Sequence, residues 1–594
     1  MTRRPLLPVP CSLFPRVSWL LAFGLLSSLP GCAKEEWDRF FDSFRKDSPR
    51  SRESMPPSHK NSIRALQGAI GPMITLEGAQ LLQVRGYGLV VDLVDSGGAD
   101  GPQQVKEYLT KQVRKNQEIG VQGITTEQLF KGKDACMVEV TGLIPAAAKK
   151  GDYFDVVVKA LGSSTKSLVG GRLVLCDLKM YAETPQGVIE GKTLATASGP
   201  VFVTIFEMSG EPSAKVDLRT GFILGGAVVK EPRRVRLILN EPRYAVAQQM
   251  VARINGRYAG IDPIADGKSA GAIDITIPDE YRNRKRLFLE QLAHTTLNDN
   301  PALLEKRSAE LAQDIELPDA DGDSIGLAFQ AIGKIALPQI KTLYQHALPE
   351  VRYFAARTGT RMQDNAGMEE LCKFALEPEN RFRMQAIDEL GFAVNMYGAG
   401  EALKKLLDDS DEEVRIKAYR ALRRRRHPVI NTSILDKDNL VLDVIDSNGP
   451  YLIYVQRLEQ PRIAIFGKAM RCHDNAIFPG ARRDDRRLLT QITANPGDPD
   501  LTILYKNKHT GLQSEPLHAP YEVAALIEFL GDTPTKNDKG QFQKGLAVPF
   551  SEIVDILQTL CKAGSIPAKF KVEDLKESEE APVEETKERT ESEY

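Results

Sequence analysis

LIPAAAKKGDYFDVVVKALGSSTKSLVGGRLVLCD, from Leu143 to Asp177, is the stretch that decides how this chain is read. Its first part is an apolar loop closed by Gly151 and Asp152. A run rich in β-branched residues follows, Phe154 to Val158, bounded by Gly162-Ser163-Ser164, which predicts a mostly buried strand. After Gly170-Gly171 comes a second run, Leu173 to Leu178, placed to pair with the first across a Ser/Gly-rich loop. No nucleophile stands beside a base here, and no ligand cluster is spaced for a metal. What remains is a rigid strand–loop–strand surface, suited to assembly rather than catalysis.

These residues resemble a signature of the bacterial flagellar P-ring family. In that signature a Pro-containing apolar segment precedes Gly-Asp, an Asp-Val strand, a Ser-rich turn and Ser-Leu-x-Gly-Gly-x-Leu. The matching positions are Pro145, Gly151, Asp152, Asp155, Val156, Val158, Ser167, Leu168, Gly170, Gly171 and Leu173. Upstream, LLQVRGYGLVVDLV (Leu81 to Val94) reads as a strand whose glycines permit close backbone approach. It is similar to the family's Gly-Tyr-Gly-Leu-Val-Val strand through Glu77, Gly78, Gly86, Tyr87, Gly88, Leu89, Val90 and Val91. Val105 to Gln117 is a helix candidate, and Ala135 to Val140 a strand leading into Leu143. Val201 to Phe206, Val235 to Leu239 and Ala272 to Ile277 read as strands. Tyr244 to Tyr258 is a helix with Val246, Met250, Ile254 and Tyr258 on one stripe. The resemblance is collinear from about Ile74 to Leu292.

At 594 residues the chain exceeds one hydrophobic core and predicts several domains. Its formal charge of −2 argues against a general nucleic-acid binder. Seven cysteines are scattered without CxxC or Cys/His pairing, which argues against structural zinc. Cys136 and Cys176 are either a disulfide or two buried thiols. Enzyme-like coincidences fail on spacing. Ser163 to Lys166 fits S-x-x-K without its companion motifs, and Gly187 to Thr193 is one residue short of a Walker A loop. Asp319, Asp321 and Asp323 open like a calcium loop but lack its glycine and closing glutamate. No cofactor or metal site is expected.

The N-terminus reads as an address. Arg3 and Arg4 precede a short apolar run, Val17 to Leu26, which ends in Leu29-Pro30-Gly31-Cys32. It resembles a lipoprotein signal with Cys32 as the lipidated residue, although Pro30 departs from the preferred small residue; an uncleaved anchor helix is the alternative. Both put the bulk of the protein outside the cytoplasm and on a membrane. Trp37, Phe40, Phe41 and Phe44 share one face of a short helix, which rests either in lipid headgroups or on the protein itself. Asp47 to Lys60 reads as a linker.

In the middle, PEVRYFAAR from Pro349, NRFRMQAIDELG from Asn380 and EEVRIKAYRAL from Glu412 echo one another. Their aligned arginines, Arg352, Arg383 and Arg415, lie 31 and 32 residues apart. This period predicts a solenoid of paired helices similar to short HEAT repeats, a surface for a protein partner or a brace between domains. Arg423 to Arg426 reads as a cationic helix end. Beyond it, Val441 to Val455 and Arg462 to Phe466 read as strands. Pro549 to Phe570 reads as a helix with Ser551 as N-cap and Gly564 as its stop, similar to the closing segment of P-ring proteins. Lys571 to Tyr594 holds ten acids against four bases and predicts a disordered tail.

The expected class is therefore α+β: a signal (1–32), an amphipathic segment and linker (33–64), a strand-rich P-ring-like domain (65–292), HEAT-like helices (293–428), a smaller C-terminal α+β region (429–570) and an acidic tail (571–594). The resemblance implies no catalysis and a homo-oligomeric ring around the flagellar rod, in contact with other basal-body or envelope proteins and held to the membrane, presumed outer, by a lipid. The alternative is a lipid-anchored periplasmic scaffold without a flagellar role.

Overall fold

The computed structural model describes residues 65–573 apart from 94–95, 99, 116–131, 185–186, 204–216, 259–261, 282–283, 436–439, 457–460, 479–489, 506–512, 537–541 and 549. The expectations for Cys32, the aromatic segment, the linker and the tail beyond 573 lie outside the described residues.

Chain order through the first region is β1 (Ile74–Glu77), β2 (Leu82–Val91), α1 (Gln103–Lys115), β3 (Cys136–Ile144), β4 (Tyr153–Ala160), β5 (Arg172–Thr184), β6 (Gly187–Pro200), β7 (Thr220–Val229), β8 (Val235–Leu239), α2 (Tyr244–Arg257), β9 (Ala265–Ser269) and β10 (Ala272–Ile275). Six strands close into a barrel in the order β2-β3-β4-β7-β6-β5. Alternation fills it: Val138 and Val140, Val156 and Val158, Ala195 and Ala197 all point into one buried cluster. The remaining strands form an antiparallel sheet, β1-β8-β10-β9. On β8 every second residue is buried, and Leu237 and Leu239 meet Met250 and Ile254 of α2.

The opening stretch differs from its expectation in two ways. Its first residues are not loop, because β3 runs on through Leu143 and Ile144. Leu173 to Leu178 does not pair with Phe154 to Val158. β4 lies between β3 and β7, whereas β5 lies between β2 and β6. Closing the barrel requires β5 to reach back to β2, so the Ser/Gly segment spans a barrel end instead of turning a hairpin.

The helical region holds α3 (Lys285–Ala293), α4 (Pro301–Asp314), α5 (Gly322–Ile332), α6 (Leu337–Leu343), α7 (Pro349–Arg361), α8 (Asn365–Leu376), α9 (Arg383–Phe392), α10 (Tyr397–Lys405) and α11 (Glu412–Arg424). Local chemistry starts several of them: the side chains of Asn300, Asp321, Asp364 and Asp411 each accept a backbone N–H of the first turn. Asp321 thus caps a helix and Asp323 pairs with Arg357, which accounts for two of the three aspartates that mimic a calcium loop. Apolar faces from α7 through α11 merge in one core.

The C-terminal region begins with β11 (Ile430–Leu435), β12 (Leu440–Ile445), β13 (Leu452–Gln456), β14 (Arg462–Phe466), β15 (Ile477–Phe478), β16 (Thr490–Thr493), β17 (Leu501–Tyr505) and β18 (Leu517–Ala519). It continues with α12 (Val523–Gly531), β19 (Thr535–Lys536), β20 (Phe542–Lys544), α13 (Phe550–Lys562) and β21 (Lys569–Val572). Val441 to Val455 is two strands rather than one, broken by the turn at Asn448-Gly449-Pro450. The main sheet is mixed, in the order β11-β12-β14-β13-β21. Ser551 lies inside α13, not at its cap, while Gly564 ends it with φ +72°. Lys571 and Val572 belong to β21, so the acidic tail starts after them. The architecture is α+β: a strand-rich barrel and sheet, a helical array, and a C-terminal sheet-and-helix region.

Candidate assembly site

Two loops from separate parts of the barrel clasp each other around Asp100. Its carboxylate accepts the backbone N–H of Ser163 at 2.8 Å and of Ser164 at 3.0 Å, together with both serine hydroxyls. The Ser164 hydroxyl and the other donors, against a smaller opposing effect of burial, lower its pKa to about 2. The Ser96 hydroxyl donates to the Ser167 carbonyl at 3.1 Å, and the Ser167 hydroxyl accepts the Val169 N–H at 3.1 Å. Leu168, next along, is fully buried in the barrel core. The serines of the S-x-x-K coincidence are therefore loop fasteners.

The glycines of the motif hold the barrel's own backbone close. A side chain at Gly86 would overlap the Asp177 carbonyl oxygen, and one at Gly88 would come within 2.7 Å of Leu173. Gly171 faces Val90 and Leu93 in the same manner. Gly151 and Gly170 instead adopt φ of +89° and +73° at turns, conformations that favour glycine. Tyr87, between the two close-approach glycines, packs half-buried against Val105 and Leu109 of α1.

Asp152 and Pro145 tie the barrel to its neighbours. Buried Asp152 accepts the Lys149 N–H at 3.0 Å and lies 3.5 Å from the Lys285 ammonium of α3. Asp155 accepts the Gly225 N–H at 2.5 Å, fixing the β4–β7 irregularity. The carbonyls of Ile144 and Pro145 accept from Arg233 at 2.9 and 3.1 Å, and burial lowers that guanidinium to about 10, so it stays charged at neutral pH. Cys136 and Cys176 are buried free thiols on β3 and β5, and burial raises both above the usual thiol value.

Two of the three repeat arginines share one geometry. Arg383 Nε donates to the Ala375 carbonyl at 3.2 Å, and Arg415 Nε to the Leu407 carbonyl at 3.0 Å. Arg352 reaches the carbonyls of His346 and Ala347 at 2.9 and 3.2 Å. The guanidinium groups of Arg383 and Arg415 thus sit at the C-terminal end of the preceding helical segment, where unpaired carbonyls and the dipole favour a cation, whereas Arg352 fastens the loop that follows α6. Arg383 and Arg415 are buried, and Arg383 also pairs with Asp409. Arg425 performs the same service for α9, donating to the carbonyls of Leu390 at 3.1 Å and Met396 at 2.8 Å, and to that of Ala393.

A buried ionic cluster that sequence reasoning missed joins the first region to the array. Arg284, just ahead of α3, donates to both oxygens of Glu389 on α9 at 2.8 and 2.9 Å, and Arg361 on α7 pairs with the same carboxylate. Burial alone would push Glu389 up. Arg361, Arg284 and Arg357 overcome that and hold it well below the usual carboxylate range. Arg284 also lies 4.0 Å from the centre of the Phe392 ring. Arg257, at the end of α2, donates to the carbonyls of Gln330 and Ala331. The signal for the cluster was the acid pair Asp388-Glu389 between Ile387 and Leu390 of the second repeat.

Among the described residues no group of three or more His, Cys, Asp or Glu side chains is arranged to hold a metal, and no helix is long and apolar enough to cross a membrane.

Residues 70–303 match the family model described as Flagellar P-ring protein, and residues 336–423 match that for HEAT repeats. Among curated relatives, the Flagellar P-ring protein of Geotalea uraniireducens is 29% identical over 238 residues, which is 38% of this chain and 60% of the relative. That of Aquifex aeolicus is 30% identical over 222 residues, 36% of this chain and 57% of the relative. That of Oleidesulfovibrio alaskensis is 27% identical over 257 residues, 41% of this chain and 64% of the relative. The chain thus spans about 60% of the length of the curated relatives it matches. Taken with the barrel and the stacked helices, these matches mean that residues 70–303 are similar to flagellar P-ring proteins and residues 336–423 to HEAT repeats.

Proposed function

We propose that this protein is a structural subunit of the flagellar basal-body P ring, or of a P-ring-like envelope ring, that assembles around the rod and turns over no substrate. The observation carrying this reading is the collinear P-ring match over 70–303, folded as one barrel with its attached sheet. The ring is a homo-oligomer in contact with other basal-body components. The loops clasped at Asp100, with Ser167, Leu168 and Gly170, form a rigid barrel end for such contacts. Gly86, Gly88 and Gly171 act indirectly, by keeping the barrel shut. Cys32 is the lipid attachment point, which puts the protein in the periplasm, anchored to the outer membrane.

A second reading is supported by the HEAT array: a lipid-anchored scaffold that binds envelope proteins without a flagellar role. In that reading Arg352, Arg383 and Arg415 serve binding by holding the array's shape.

Electron microscopy of basal bodies purified from cells carrying a tagged copy separates the two. Tagged density at the ring and lost motility on deletion support the first. Normal motility, with the protein missing from the particles, overturns it.

A further inference from the structure

One edge of the array carries an apolar and cationic patch of which only Arg425 takes part in the packing described above. On the turn between α9 and α10, Val394 is 54% exposed and Tyr397 80% exposed. Arg425 Nη2 holds this turn from across the groove, through the carbonyls of Val394 at 3.4 Å and Met396 at 2.8 Å. Around it stand exposed Lys404, Lys405 and Arg426, with Glu401 and Glu369 as acids among them. The charges are close neighbours: Arg425 and Lys404 both act on His427, and Arg425 and Lys405 both act on Cys372.

The last described strand is aimed at this edge. Lys569 pairs with Glu412 at the start of α11 at 2.6 Å, Lys571 with Glu412 and Glu413, and Glu573 with Arg420 further along the helix. β21 therefore runs beside α11 toward its basic C-terminal end. From Arg420 to Arg426 is about 9 Å along a helix axis. The 21 residues that follow Glu573 hold nine acids against three bases, with Leu575, Val583 and Tyr594 as apolar points. Their extended reach of about 70 Å covers the patch several times over.

We propose that residues 574–594 bind in cis to the edge formed by Val394, Tyr397, Lys404, Lys405, Arg425 and Arg426, with the carboxylates against the cations and an apolar side chain beside Tyr397. The contact is independent of whether the protein builds a ring.

The probe is a fluorescein-labelled synthetic peptide of residues 574–594, titrated by fluorescence anisotropy against the full chain and against a chain stopped after Glu573. The shortened chain binds the peptide, and more weakly as salt rises. The full chain binds it at least roughly tenfold more weakly, since a tethered segment competes at an effective concentration near the millimolar range. Charge reversal at the exposed Lys404→Glu, Lys405→Glu and Arg426→Glu removes peptide binding, with an unchanged circular dichroism spectrum as the check on folding. Three results overturn the proposal: no binding to the shortened chain, equal binding to both chains, or undiminished binding to the charge-reversed chain. A full chain whose light-scattering mass falls when the tail is removed also overturns it, because the tail then acts between copies.

Discussion

Replacing Glu389 by glutamine tests whether the buried ion cluster fastens the barrel-and-sheet region to the helical array. The side chains of Arg284, Arg361 and Glu389 are 17%, 12% and 12% exposed, so water cannot repair the loss. Removing one partner of a buried pair costs about 3–5 kcal/mol, because the other charge is left stranded. Glutamine keeps one acceptor oxygen, and Arg284 keeps the Phe392 ring, which places the expected loss near the low end, about 3 kcal/mol, or roughly 150-fold in the folding equilibrium. Urea unfolding followed by circular dichroism measures it, and native-state hydrogen exchange of the α9 amides gives the local value. The pH dependence has a definite sign. The folded-state pKa of Glu389 is depressed, so its contribution is complete above the ordinary value of 4.5 and is lost as pH falls through the lower folded value. The gap between parent and Glu389→Gln is therefore flat at neutral pH and closes in acid. The double variant Arg284→Leu with Glu389→Leu loses less than the two single changes added together. A loss below about 1 kcal/mol, or a gap that widens in acid, refutes the reasoning.

The motif glycines divide into two kinds. Gly86→Val puts a side chain into the Asp177 carbonyl and costs more than about 3 kcal/mol, whereas Gly151→Ala has open space but a positive φ and costs about 1 kcal/mol, both read as thermal unfolding shifts. Asp100→Asn lowers the melting temperature at neutral pH. Because Asp100 is depressed to about 2, its contribution fades as pH drops from 3.8 through that value, so parent and variant converge in a pH series of melts. Arg383→Met strands Asp409 and the Ala375 carbonyl, and destabilises the array by about 2–4 kcal/mol in urea unfolding, while Arg381→Met, on an exposed side chain, changes it by less than about 1 kcal/mol.

Strands were legible from sequence where the signal is local: Val235 to Leu239 and the β-branched run Phe154 to Val158 are strands where they were expected, although the second alternates between buried and partly exposed positions instead of being mostly buried. The partner of Leu173 to Leu178 was not, since neighbours in a closed barrel are chosen by ring closure, and β2 and β5 meet across more than 80 residues. The repeat period gave the three arginines and the stacked helices. It did not give their direction, because a period marks equivalent positions without saying which face they occupy. The Glu389 cluster escaped for the same reason as β5: Arg284 stands 105 residues away. Arg423 to Arg426 read as complementing their own helix, whereas Arg424 and Arg425 reach back past α10 to residues near the end of α9.

The arginine at two successive joints of the array has a consequence for how such an array changes over generations. Each of these units brings its own fastener, and the socket it needs is the frayed tail of the unit before. A duplicated unit of this kind therefore arrives already fitted at both ends. Loss of the second unit, by contrast, takes Glu389 with it and strands Arg284 and Arg361, so this stretch lengthens by whole modules more readily than it shortens.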